Sequence, residues 1–115
     1  MNNRFITVPK DQKALIALDF DQASDDQLIE VILDEDEFNM LWNSGFFKHL
    51  NRLANAYIDN GEDESITNIE ILKNLLKSDL FEMDFQDAKL NQTLKDIKNL
   101  FNEAIKHETG VFFFF

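Results

Sequence analysis

The sequence has no cysteine, one proline and three glycines in 115 residues. Without cysteine there is no disulfide, no thiolate metal site and no catalytic thiol. Three glycines hardly supply a phosphate-cradling loop, a dinucleotide fingerprint or a nucleophile elbow, and none of these patterns occurs. So little glycine and proline disfavours loop-rich β folds and favours long helices. No apolar run approaches the ~18–20 residues that a membrane span needs. The opening MNNRFITVPK lacks the basic start and apolar stretch of a signal peptide. Together with the missing cysteine, this points to a cytoplasmic protein.

Cations are also scarce. Lys and Arg number 11 against 22 Asp and Glu, a net charge of −11. Binding to nucleic acid needs Lys and Arg to neutralise phosphate, so the bulk field excludes direct contact with DNA or RNA. An anionic membrane surface repels the chain for the same reason. Apolar residues make up 44%, twelve of them Phe, which excludes disorder as the main state. One domain over residues 1–115 is the natural size.

Read along the chain, Asn3–Val8 alternates and is a candidate strand. Lys10–Phe20, with its Ala and Leu, suits a helix. Ser24 and Gln27 form a capping box with Asp25 and Asp26 in the first turn, predicting a helix to about Glu35. On that helix Leu28, Ile29, Val31, Ile32 and Leu33 would gather on one side, with Asp26, Glu30, Asp34 and Glu37 as an acid stripe opposite. A short helix carrying Phe38, Leu41 and Trp42 ends at Gly45, and Phe46–Ile58 is amphipathic. Thr67 and Glu70 suggest a second capping box. The last helix is expected between Asp84 and Gly110, with Leu90, Leu94, Ile97, Phe101 and Ala104 as its seam. The tail Val111–Phe115 is wholly apolar and is expected to pack into a groove or pair with Arg4–Val8 as an edge strand; it also offers a route to self-association. The expected fold is all-α: a bundle of five or six amphipathic helices with at most a small strand pair at the termini.

The charge is unevenly placed. Residues 14–72 carry fourteen acids and two bases, whereas residues 73–115 carry seven acids and six bases. From Ala14 to Phe47 there are nine acids and no Lys or Arg. Such repulsion costs stability. An acidic docking face for a basic partner accounts for it, and such faces speed encounter and reject wrong partners. A merely solvated acidic surface is the competing account.

No catalytic or metal constellation emerges. KALIALDFDQAS resembles the first motif of haloacid dehalogenase-type phosphatases, with Asp19 as nucleophile and Asp21 as acid/base. Ala23 departs from that motif, and the chain is too short for the fold. A calcium loop over Asp19–Glu30 lacks its central glycine, with Ser24 in that place. His49 and His107 have no ligand spacing. Ser24, Ser44, Ser65 and Ser78 sit where helix ends are expected. The chain is therefore read as no enzyme, with no cofactor and no metal.

In size, charge and aromatic content the chain resembles small acidic immunity proteins, which bacteria make against their own secreted or contact-delivered toxins. That resemblance implies a tight complex with a basic toxin domain, often a nuclease, whose substrate cleft the inhibitor covers. Asp25, Asp26, Glu30, Asp34, Glu35, Asp36 and Glu37 would meet the partner's Lys and Arg, with Trp42 or Phe46 as the buried anchor. Two alternatives stand beside it. One is a DNA-mimic regulator of a nucleic-acid-binding protein. The other is a structural helical adaptor or oligomer subunit using the Phe tail.

Overall fold

The structure, a computed structural model, describes residues 3–115. Its first element is a strand, β1 (Arg4–Pro9), rich in the aromatic and β-branched residues that suit a pleated surface. Asp11 then caps helix α1 (Gln12–Asp19), its carboxylate accepting from the Ala14 amide at 2.7 Å. The Ser24–Gln27 capping box is present, with Gln27 Oε1 accepting from the Ser24 amide at 3.0 Å.

That box opens only one 3-10 turn, Asp25–Gln27, after which the chain runs extended as β2 (Leu28–Leu33). The helix expected from Ser24 to Glu35 is thus corrected, and with it the all-α class. LIEVIL satisfies a period of two as well as 3.6. Its three β-branched residues favour the strand, and β1 offers a full antiparallel partner from Arg4–Leu33 to Pro9–Leu28.

Helix α2 (Glu35–Asn43) is capped by Asp34, and Gly45, at φ +87°, lets the chain turn into α3 (Phe46–Ala54). Strand β3 (Asp63–Ile66) leads to α4 (Ile69–Lys77). Its cap is Asn68, which accepts from the Ile71 amide, and not the expected Thr67. The long helix α5 (Ala88–His107) is capped by Asp87 rather than Asp84, and ends at Glu108 in the left-handed region rather than at Gly110. Strand β4 (Val111–Phe114) closes the chain.

The four strands form one antiparallel sheet in the order β2-β1-β4-β3. The fold is therefore α+β. The Phe tail does pair with β1, as expected, but as a central strand held by β3 on its other side. One sheet face carries Ile6, Val8, Leu33, Val111, Phe113 and Ile66, all in the core with the seam of α5. Phe115 lies among Phe38, Phe47 and Phe113 at 5.0–5.8 Å between ring centroids. The Arg4 guanidinium lies 4.3 Å from the centre of the Phe38 ring. The opposite face carries Phe5, Thr7, Glu30, Ile32, Phe112 and Phe114, with Phe112 stacked on Phe114. Helix α1 touches β1, and its buried Ala14 stands apart from the main core.

Phe113→Ala should therefore cost about 3–5 kcal/mol in urea unfolding, and Phe112→Ala clearly less. Asp84, though not the cap of α5, accepts from the Gln86 amide at 2.9 Å and from Asn91 Nδ2 at 3.0 Å. The Gln86 amide first and then Asn91 hold its carboxyl below the usual carboxylate range. A depressed folded pKa means that the unfolded chain binds more protons, so this contribution is present above the ordinary carboxylate range and disappears as the pH falls through the folded value. Asp84→Ser should lower the urea midpoint at neutral pH, and the difference from the unaltered chain should shrink as the pH falls below the ordinary carboxylate range.

Candidate functional site

The acids of the Ala14–Phe47 stretch do not form a helical stripe. Seven of the nine follow one edge of the sheet, while Asp19 ends α1 and Asp21 lies in the turn after it. Asp25 and Asp26 sit in the 3-10 turn that leads into β2, exposed, with Ser24 Oγ donating to Asp26. Glu30 is exposed at the middle of β2, and Asp34, Glu35, Asp36 and Glu37 begin α2 directly after it. A six-residue strand spans about 20 Å, so carboxylates lie at both ends and the centre of an edge at least that long.

Two of these groups are held in place. Thr7 is fully buried and its Oγ1 donates to Glu30 Oε2 at 3.0 Å. Thr93 of α5 donates to Glu37 Oε2 at 3.0 Å, while Glu37 and Asp34 cap each other across the first turn of α2. Asp34 is thus a structural cap as well as a surface charge. Among the described residues, only Asp34 of the nine acids forms an ion pair, with Lys89 at 3.9 Å and both groups well exposed. A pair of that kind is worth little. At the other end Lys10 Nζ donates to the Asp26 carbonyl, not to a carboxylate. The edge keeps most of its charge unneutralised.

Beside β2 runs a cleft of about 390 Å³, closed on its far side by α5. Glu30, Glu37 and Asp96 line it, and no Lys or Arg does. Asp96, Thr93 and Asn99 belong to the site and carried no signal in the sequence. They lie in the helix whose charges balance, and only the packing of α5 on β2 brings them there.

The expected aromatic anchor divides. Phe46 is fully buried against Phe47 and Phe81, so it is a core residue and is corrected as a candidate contact. Trp42 is partly exposed and stacks on Phe38 at 5.6 Å. It lines a different cleft, of about 590 Å³, with Lys48, Asn51 and Asp59. Among the described residues no group of three His, Asp or Glu is arranged to hold a metal ion. Asp19 ends α1, Asp21 adopts a left-handed turn and Asp25 lies in the next turn, so no calcium loop is formed. Among the described residues no helix is long and apolar enough to cross a membrane.

The buried Thr93 hydroxyl bonded to a charged Glu37 gives a direct check on the geometry. Thr93→Val should cost about 1.5 kcal/mol in chemical denaturation, because the carboxylate loses its donor in a half-buried place.

No family model matches the chain, and no curated protein matches it. Among solved structures the fold is similar to that of the Neisseria DNA mimic protein DMP12, with a TM-score of 0.65 and 20% identity over 99% of this chain and 100% of that one. The comparison thus shows that the α+β architecture, from β1 to β4, is a fold already seen in another protein.

Proposed function

We propose that this chain is a DNA mimic, which binds a basic DNA-binding protein on the surface that protein uses for DNA. The observation that carries the reading is the single acidic edge: seven of the nine acids between Ala14 and Phe47 lie along β2 and its two ends, with one weak ion pair among them. A duplex is recognised chiefly as a rod of negative charge, and a protein built to hold it presents Lys and Arg. Carboxylates fixed by Thr7 and Thr93 offer such a surface pre-placed anions, with little ordering left to do on binding. The similarity in fold to a protein named as a DNA mimic supports this choice of partner. An immunity protein against a basic nuclease would use the same edge, and differs only in which basic protein it meets. The adaptor reading loses its main support, since Phe113 and Phe115 are taken up by the core and the aromatic cluster.

The test is competition. The tagged chain, incubated with lysate of its source cell, should retain DNA-binding proteins that are then released by added duplex DNA and by raised salt. Triple neutralisation, Glu30→Gln, Glu35→Gln and Asp36→Asn, should weaken retention roughly tenfold or more with helix content unchanged. Asp34 is left intact because it caps α2. Partners that duplex DNA does not displace would rule the mimic out.

A further inference from the structure

The sheet has two edges, and they are treated differently. β3 is four residues long and carries Asp63 and Glu64, the short, charged edge that resists further pairing. β2 is six residues long, five of them apolar, with no Lys and no Pro, and among the described residues no strand pairs with its outer side. Its backbone is open there. Just beyond the ladder, the Lys10 amide donates to the Gln27 carbonyl at 2.9 Å. The bonded pairs therefore fall at every second step: Val8–Ile29, Ile6–Val31 and Arg4–Leu33. Leu28, Glu30 and Ile32 turn their amides and carbonyls the other way. The Leu28 amide is satisfied by the Asp25 carbonyl. Among the described residues, no protein group bonds the N–H or C=O of Glu30 or Ile32. Ile32 is 51% exposed.

We infer that β2 is the docking strand. An extended segment of the basic partner, with Lys or Arg at alternate positions, adds to the sheet along this edge. Successive side chains of an added strand point to opposite faces. One set would meet Glu30, which shares the outer face with Thr7. The other would enter the cleft between β2 and α5, where Glu37 and Asp96 stand without a Lys or Arg. Whichever set carries the Lys or Arg therefore meets carboxylates, Glu30 on one face or Glu37 and Asp96 on the other. The charge also argues against a second copy of this chain, since pairing β2 with β2 would bring two net-acidic edges together. Strand addition supplies main-chain affinity and leaves specificity to the alternate side chains. This inference rests on the acidic edge being the partner surface, and adds how the partner's backbone is held there.

The experiment uses a fluorescein-labelled heptapeptide of alternating Lys and Val, titrated with the full chain by anisotropy, with amide exchange followed by NMR. Binding should protect the Glu30 and Ile32 amides and change Ile29 and Val31 little, since those already face β1. Ile32→Pro removes one outward amide at an edge position where proline is tolerated, and should weaken the peptide at least about tenfold. Ile32→Ala, which keeps the amide, should bind far better than Ile32→Pro. Peptide binding that leaves the Glu30 and Ile32 amides unprotected overturns strand addition, even if Ile32→Pro does not fold. No peptide binding, or equal binding by Ile32→Pro, overturns it as well. So does a concentration-dependent dimer in sedimentation that Ile32→Pro abolishes, which would assign the edge to a second copy. In each case, duplex DNA still displacing partners from the unaltered chain would leave the mimic reading standing.

Discussion

Everything else in the structure depends on the pairing of β1 with β4. Thr7 and Phe5 lie beside Phe112 and Phe114, and that one seam sets the order of the whole sheet. With both centre positions occupied by β1 and β4, β2 is left with a single neighbour. The burial of Phe113 and Val111 fixes which face of the seam meets α5, because a one-residue slip would expose both. Gly110 serves the same joint: a Cβ there would approach the Thr67 side chain to 2.8 Å and the Ile66 carbonyl to 3.0 Å, so β4 begins flush against the end of β3. The position of the acidic edge is thus a result of the hydrophobic seam on the far side of β1.

The edge combines features that most sheets keep apart. An open strand is an invitation to pair, and proteins usually blunt it with cations, proline or cover. In the proposed docking the flanking carboxylates would do the discriminating. They leave the backbone available and make the approach unfavourable to any acidic chain, including this one. The repulsion among them is a cost to the folded state, offset by an aromatic cluster that runs from Trp42 through Phe38, Phe47 and Phe115 to Phe113.

The local signals in the sequence were sound, and most of the errors came from contacts distant in sequence. Residues Leu90, Leu94, Ile97, Phe101 and Ala104 are all buried, as their spacing requires. Gly45 turns where a glycine was expected to turn. Ser24 and Gln27 do make a capping box, but a cap reports only that one turn begins, not how far it runs. LIEVIL is compatible with both periods, and its state is decided by β1, more than twenty positions earlier. The same ambiguity hid the site. Charge alone groups Asp25, Asp26, Glu30 and Asp34–Glu37, and they line one edge of the sheet. Their placement on a helix face was wrong because the backbone beneath them is extended. Asp96 and Thr93 were invisible, since nothing local to α5 announces that it lies against β2. Phe46 and Trp42 look alike in sequence. Only the packing of Phe81 on Phe46 shows which one is enclosed.

The β1–β4 seam also sets the order of events when the chain folds. Phe5 pairs with Phe114, 109 positions later, so the central ladder closes nearly the longest loop the chain allows. Contacts this remote place folding among the slower topologies. If β1 and β2 pair first, they have two open flanks until β4 joins them, the kind of intermediate that sticks to its own kind. In that interval the nine acids act on a different problem. They would hold unfinished copies of the chain apart, so the charge of the proposed docking edge would also protect the path to the native state.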